Sequence, residues 1–68
     1  MNLFSQRLRE CRTELGMYQR ELAELAGIKL RAYQLYEQGK TEPKIDTLIA
    51  FADALNVSID YLVGRTDK

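Results

Sequence analysis

The chain has 68 residues, of which 46% are hydrophobic and 29% charged, and its ten lysines and arginines balance ten aspartates and glutamates. This length suits one small domain, and no segment approaches the roughly 20 apolar residues of a membrane span. Histidine is absent and Cys11 is the only cysteine, which argues against a disulfide framework, a zinc site with the usual ligand spacing, and catalysis by a histidine base. We therefore expect a cytoplasmic, non-enzymatic domain without metal, cofactor or small-molecule ligand.

Residues that suit the left-handed end of a helix punctuate the chain at Gly16, Gly27, Gly39 and Asn56, with Pro43 behind the third. Between them, apolar residues recur at helical spacing, and no segment alternates as a half-buried strand would. The pattern predicts five helices over about residues 3–15, 19–26, 30–38, 45–55 and 58–63, the first capped by Asn2. The expected fold is all-α, a compact five-helix bundle forming one domain over residues 1–68.

The apolar faces of these helices predict the core. The expected core residues are Leu8, Cys11 and Leu15, Leu22, Leu25 and Ala26, Tyr33 and Tyr36, Ile45, Leu48, Ile49, Ala52 and Leu55, and Ile59, Leu62 and Val63. Cys11 is interpreted as a core residue rather than a redox sensor. Two alternatives stay open for Tyr61, Leu62 and Val63, which either close the core or present a dimer surface.

Residues 19–38 have the pattern of two helices joined by a short turn with glycine, which is the helix-turn-helix unit. Ala23 is small where the helices approach, Gly27 permits positive φ, and Ile28 is expected to fill the corner. At about 100° per residue, the third helix places Arg31, Gln34, Leu35 and Gln38 on one side and Ala32, Tyr33 and Tyr36 on the other. Arginine recognises guanine, glutamine recognises adenine, and an apolar side chain can contact a thymine methyl. This face is therefore either a DNA-reading surface or an ordinary solvated one.

Five short segments follow one another in a fixed order: LG at 15–16, QRELA at 19–23, AGI at 26–28, YEQGKTEP at 36–43 and ALNVSIDYLVG at 54–64. Their order and spacing, across about residues 3–64, resemble the DNA-binding domain of Cro/C1-type (XRE-like) helix-turn-helix regulators. The resemblance implies a bundle of the lambda-repressor-like type that places its third helix in the major groove of double-stranded DNA, as a homodimer on a two-fold operator.

The resemblance also implies roles for single residues. It implies base readout by Leu30, Arg31, Gln34 and Leu35, backbone contact by Gln19 and Lys40, and a partly buried ion pair between Arg12 and Glu37. Where the family usually has serine or threonine before a helix, this chain has Tyr18, Lys29 and Lys44, so each of those helices forgoes a cap worth about 1 kcal/mol. A phosphate beside the helix start would explain a lysine there, so Lys29 and Lys44 are predicted phosphate contacts. Tyr18 lies either on the surface or toward a phosphate.

Two functions remain to be distinguished. The first is a sequence-specific transcriptional regulator, expected to be a repressor, with basic residues prevailing over residues 1–20 and 27–44. The alternative is a protein-interaction module on the same fold, such as an antitoxin or antirepressor, which would bind through Leu30, Leu35 and the last helix. Leu30 and Leu35 are expected to be exposed on either side of Arg31, and they would contact thymine methyl groups or a protein partner. These leucines and the net charge of zero favour the alternative, whereas Arg31, Gln34 and the flanking lysines favour the regulator.

Overall fold

Five helices form the fold of the computed structural model, which describes residues 3–67. They are α1 (Phe4–Glu14), α2 (Gln19–Ala26), α3 (Leu30–Glu37), α4 (Ile45–Leu55) and α5 (Ile59–Leu62), and no strand occurs among the described residues. The predicted all-α fold is confirmed, and each boundary lies within one residue of its expected place. Asn2, the expected cap of the first helix, lies outside the described residues, and Leu3 occupies the N-cap position of α1 without a side-chain cap.

The ends of α2 and α3 show why the glycine positions matter. Gly27 has φ 73°, and the Ile28 N–H beyond it donates to the Ala23 carbonyl at 3.0 Å. This reverse turn brings Ile28 back onto the core, as its sequence position predicts. At the end of α3, Gly39 has φ 76°, and a Cβ there would lie 3.3 Å from the Ser5 Oγ. The end of α3 is thus held closely against the start of α1.

A cluster of four rings forms the centre of the core, and two of the rings were absent from the predicted core. Phe51 is fully buried, with its ring centroid 5.8 Å from Tyr33, 5.8 Å from Tyr36 and 6.0 Å from Phe4. The two tyrosine contacts are edge-to-face, the arrangement that the ring quadrupole favours. Both tyrosines belong to α3, so their contacts with Phe51 of α4 hold the inward side of α3 against the core.

Four predicted core residues are exposed, which corrects the sequence-based core. These are Leu15, Leu25, Ile45 and Ile49, exposed by 54%, 61%, 63% and 42%. On α4, the buried residues Leu48, Phe51, Ala52 and Leu55 centre on a direction about 70° away from Ile45, because the large Phe51 ring draws that side inward. Leu15 lies beyond the last residue of α1, where the chain already turns away.

The helix starts match the prediction with one addition. The side chains of Tyr18, Lys29 and Lys44 accept no capping bond. The Tyr18 N–H instead donates to the Glu21 carboxylate at 2.8 Å, which satisfies one donor at the start of α2. Tyr18 itself is 77% exposed, on the surface.

The last helix closes the core from one side. Leu62 is fully buried, and Tyr61 and Val63 are half-buried against the core cluster. Arg7 of α1 lies over the Tyr61 ring at 4.3 Å from its centroid and donates to the Tyr61 carbonyl at 2.5 Å. These contacts hold α5 against α1.

Candidate nucleic-acid interface

The helix-turn-helix unit consists of α2 and α3, which pack against each other while α1 contacts α3. Ala23 is 2% exposed at the contact, which permits the close approach that its size predicts. On α3, Tyr33 is fully buried, whereas Arg31 and Gln38 are exposed on the other side. The predicted division of α3 into an inward and an outward side is therefore present.

The two leucines of the outward side are less exposed than expected. Leu30 and Leu35 are both half-buried, so the expectation of two exposed leucines flanking Arg31 is wrong. The helical angles place Leu30 and Leu35 at the two edges of the outward side. Each leucine still presents part of its surface to solvent.

Glu37, the last residue of α3, accepts four hydrogen bonds, two on each carboxylate oxygen. Oε2 accepts from the Arg12 Nε at 2.9 Å and from the Tyr33 hydroxyl. Oε1 accepts from the Gln19 Nε2 at 3.0 Å and from the Arg12 Nη2 at 3.2 Å. The Arg12 and Glu37 side chains are only 14% and 7% exposed, so this is a bidentate, mostly desolvated ion pair. A buried tyrosine needs a hydrogen-bond partner for its hydroxyl, and Glu37 is that partner for Tyr33.

The pKa of Glu37 lies below its ordinary value of about 4.5. Burial acts to raise this pKa, but the hydrogen bonds from Arg12, Tyr33 and Gln19 lower it by more. A carboxylate whose pKa is lower in the folded state contributes stability above its unfolded pKa. That contribution is lost as the pH falls through the lowered pKa. Burial, followed by the hydrogen bond to Glu37, raises the pKa of Tyr33, which keeps its hydroxyl a donor.

Gln19 connects this ion pair to the outward side of α3. Its Nε2 donates to Glu37, and its Oε1 accepts from the Gln34 Nε2 at 3.4 Å. Because a carboxylate can only accept hydrogen bonds, Gln19 must present its Nε2 to Glu37 and its Oε1 to Gln34. Gln34 must therefore present its Nε2, rather than its oxygen, to Gln19. The Gln34 oxygen and one of its N–H groups are left for another partner. Sequence spacing gave no signal of this connection, since Gln19 and Gln34 are 15 residues apart on different helices.

The predicted phosphate-contacting lysines are all exposed. Lys29 and Lys44 occupy the N-cap positions of α3 and α4, and Lys40 follows the glycine that ends α3. The Lys40 N–H donates to the Leu35 carbonyl at 3.0 Å, which holds the Lys40 backbone against the end of α3. The structure thus places Lys29 and Lys40 at the two ends of α3, on either side of its outward residues.

Neither a metal-binding cluster nor a membrane span is found within residues 3–67. No group of three or more cysteine, aspartate or glutamate side chains in that range is arranged to hold a metal ion. None of the helices described there is both long and apolar enough to pass through a bilayer. Cys11 is buried, and burial raises its pKa, as expected for a core thiol.

Comparison with known proteins assigns the family. The family model for helix-turn-helix proteins, HTH_3, matches residues 8–62. The chain is 41% identical over 64 residues to the SPbeta prophage-derived HTH-type transcriptional regulator YonR of Bacillus subtilis (strain 168), covering 94% of this chain and 59% of YonR. It is 40% identical over 60 residues to the cryptic phage CTXphi transcriptional repressor RstR of Vibrio cholerae serotype O1, covering 88% of this chain and 54% of RstR. The chain thus spans little more than half the length of these relatives.

A solved structure agrees with the sequence comparison. The crystal structure of the P22 c2 repressor in complex with synthetic operator 9T superposes with a TM-score of 0.85 at 35% identity, covering 88% of this chain and 91% of the repressor chain. The likeness extends over all but a few residues of both chains, so it concerns the whole helical arrangement described above. The chain belongs to the Cro/C1-type (XRE-like) helix-turn-helix family.

Proposed function

We propose that the chain is a sequence-specific DNA-binding transcriptional regulator, acting as a repressor, that places α3 in the major groove of an operator. The observation that carries this proposal is the outward side of α3, where Arg31 is exposed while Tyr33 on the opposite side is fully buried. The relatives that are named as transcriptional repressors, and the P22 c2 repressor in its operator complex, support it. Such a protein works where the operator DNA is, in the cytoplasm.

The proposed base contacts follow from side-chain chemistry. Arg31 is suited to a guanine, since its guanidinium can donate to both acceptors of the guanine edge. Gln34 is suited to an adenine, because its remaining N–H and its oxygen match the acceptor and donor of that base. Leu30 and Leu35, half-buried at the edges of the same side, are proposed to contact thymine methyl groups through the part of their surface that remains exposed.

The proposed phosphate contacts flank these residues. Gln19 begins α2, the helix that crosses the DNA backbone in a helix-turn-helix complex. Lys29 and Lys40 lie at the two ends of α3, and Lys44 lies at the start of α4. A helix N-terminus with a lysine beside it favours an anion, whereas the same lysine opposes the helix dipole in the absence of one.

We further propose that two copies bind a two-fold operator. A single α3 reaches only a few base pairs, which gives too little specificity for a regulator. Two copies related by a two-fold axis would read two half-sites about 34 Å apart. The measurement is sedimentation velocity of the chain with and without a duplex carrying its selected site, and a one-to-one complex on a symmetric site would contradict the proposal.

Removal of the Arg31 side chain tests the proposed readout. Arg31→Ala is expected to weaken operator binding by about 1–3 kcal/mol and to relax the preference at one base pair, because one bidentate contact is lost. Fluorescence anisotropy with the selected duplex and its single-base variants gives both quantities. Arg65→Ala is the matched control, since Arg65 is an exposed arginine beyond α5. Equal affinities of the two variants at every base pair would mean that Arg31 reads no base.

Removal of the Lys40 charge tests the proposed backbone contact. Lys40→Ala is expected to weaken binding to operator and random duplex by a similar factor. It is also expected to reduce the slope of log K against log salt by about one, because one fewer counterion is released. Titrations at several salt concentrations give the slope. An unchanged slope with a loss confined to the operator would assign Lys40 to base readout instead.

The function as a whole is tested by selection of preferred sites from a random duplex pool, followed by anisotropy titration at two salt concentrations. A salt-dependent affinity and an enriched sequence are the expected results. Absence of salt-dependent binding would overturn the proposal and favour the protein-interaction module instead.

A further inference from the structure

We propose that a polar groove between α1, the start of α2 and the end of α3 binds one phosphate of the DNA backbone, and that Arg9 supplies its positive charge. This inference rests on the proposed function and adds a contact from α1, a helix to which no DNA contact has been assigned above. The groove has a volume of about 360 Å³ and is lined by Ser5, Gln6, Arg9, Gln19, Glu37 and Gln38.

The charge in the groove is positive. Arg9 is exposed and makes no ion pair with any residue from 3 to 67. The one carboxylate in the lining belongs to Glu37, and its two oxygens are occupied by Arg12, Tyr33 and Gln19. Since Arg12 neutralises the Glu37 charge, Arg9 is the uncompensated charge that an anion in the groove would meet.

Two carboxylates near the groove do not change this conclusion. Gln6 donates through Nε2 to the Glu10 Oε2 at 3.2 Å, so its amide N–H is directed toward the exposed side of α1, and we assign Gln6 no phosphate contact. Glu10 and Glu14 are exposed residues of α1 that do not line the groove. Exposed charges outside the groove are screened by salt, whereas a phosphate in contact with Arg9 displaces the ions between them.

The groove continues the proposed DNA-binding surface. Gln38 lines it and lies on the same side of α3 as Arg31 and Gln34, while Gln19 lines it from the start of α2. The first helix of a helix-turn-helix crosses the backbone as the second enters the major groove. The groove beside Gln19 therefore meets the backbone when α3 meets the bases. The end of α3 lies directly against Ser5 of α1, and Gly39 permits this close approach because it has no side chain.

The test compares Arg9→Ala with Arg65→Ala, which removes the same charge outside the groove. The probe is a fluorescein-labelled duplex carrying the site that the wild-type chain selects, titrated from 50 mM to 300 mM salt. Arg9→Ala is expected to reduce the slope of log K against log salt by about 0.9 and to lower affinity about tenfold at 50 mM salt, with little loss at high salt. Arg65→Ala is expected to leave both quantities close to wild type.

A second arm locates the phosphate. Duplexes in which single phosphates are replaced by neutral methylphosphonates are titrated with the wild type and with Arg9→Ala. At one position the replacement is expected to weaken binding by the wild type but not by Arg9→Ala. The phosphate at that position is the one that Arg9 contacts, and the variant has already lost this contact. Gln38→Glu is expected to weaken binding as well, since it places a negative charge in the groove. Circular dichroism should show unchanged thermal unfolding for Arg9→Ala, whose side chain is on the surface.

The outcomes separate this inference from the proposed function. If the wild type binds with a salt-dependent affinity but Arg9→Ala behaves like Arg65→Ala, the groove does not hold a phosphate and the regulator proposal stands. If every methylphosphonate that weakens the wild type also weakens Arg9→Ala, the Arg9 charge acts at long range and the groove is not the phosphate site. If the wild type shows no salt-dependent binding, both proposals fail.

Discussion

Arg12→Met is expected to lower the free energy of unfolding by about 3–5 kcal/mol, because it leaves the Glu37 carboxylate buried without its cation. Methionine retains the apolar part of the arginine side chain, so the change isolates the loss of the charge and its hydrogen bonds. The variant also loses the hydrogen bond from the Arg12 Nη1 to the Met17 carbonyl at 2.8 Å, which ties α1 to the turn before α2. A domain of this size rarely has more than about 3–5 kcal/mol of stability, so the variant is expected to be largely unfolded.

Urea unfolding followed by circular dichroism, with sucrose added to retain a folded baseline, measures this loss. The matched control is Arg9→Ala on the same helix, which is expected to change stability by less than about 0.5 kcal/mol. The double variant Arg12→Met, Glu37→Met should be more stable than Arg12→Met alone, since no buried charge remains. A loss below about 1 kcal/mol in Arg12→Met would show that the ion pair is solvated and does not hold α1 and α3 together.

The boundaries of the helices could be predicted from the sequence because their ends depend on local chemistry. Gly27 and Asn56 adopt positive φ at the positions where the helical patterns stop, and the next N–H returns to a carbonyl of the last turn. This information is contained in a few neighbouring residues. Because it does not depend on the packing of the rest of the chain, the helix ends can be predicted without the tertiary structure.

The composition of the core was predicted less well because burial depends on partners in other helices. Periodicity treats Ile45, Ile49 and Leu48 as equivalent members of one apolar stripe, yet only Leu48 is buried. Phe51 determines which side of α4 is buried, because its ring contacts Tyr33, Tyr36 and Phe4 from two other helices. A single sequence does not state which rings meet, so the predicted core lacks both Phe4 and Phe51.

The candidate site shows the same distinction. The outward position of Arg31 follows from the helical angles, and the Arg12–Glu37 contact follows from the family resemblance. The link from Glu37 through Gln19 to Gln34 follows from neither, because it depends on where three side chains of α2 and α3 end. Half-burial of Leu30 and Leu35 likewise reflects their neighbours in space. Helical periodicity does not decide whether a side chain at the edge of a helix face is buried or exposed.

Phe51→Ala is expected to cost about 3–5 kcal/mol of unfolding free energy, because it empties a fully buried site at the centre of the four-ring cluster. Ile49→Ala is the control on the same helix, and since Ile49 is partly exposed, its loss should be much smaller. The two variants are compared by urea unfolding under the same conditions. Similar losses in both would mean that the ring cluster is not the centre of the core.

Phe51→Leu connects this core site to the proposed function. Leucine fills most of the space but gives up the edge-to-face contacts with Tyr33 and Tyr36, each worth about 0.5–1.5 kcal/mol. Since those contacts hold the inward side of α3 against the core, the variant is expected to stay helical by circular dichroism while operator affinity falls several-fold. The salt slope should remain that of the wild type, because every proposed phosphate contact is still present. A variant that lost core contacts yet bound the operator with full affinity would show that α3 is oriented from its polar side, by Glu37, rather than by the rings.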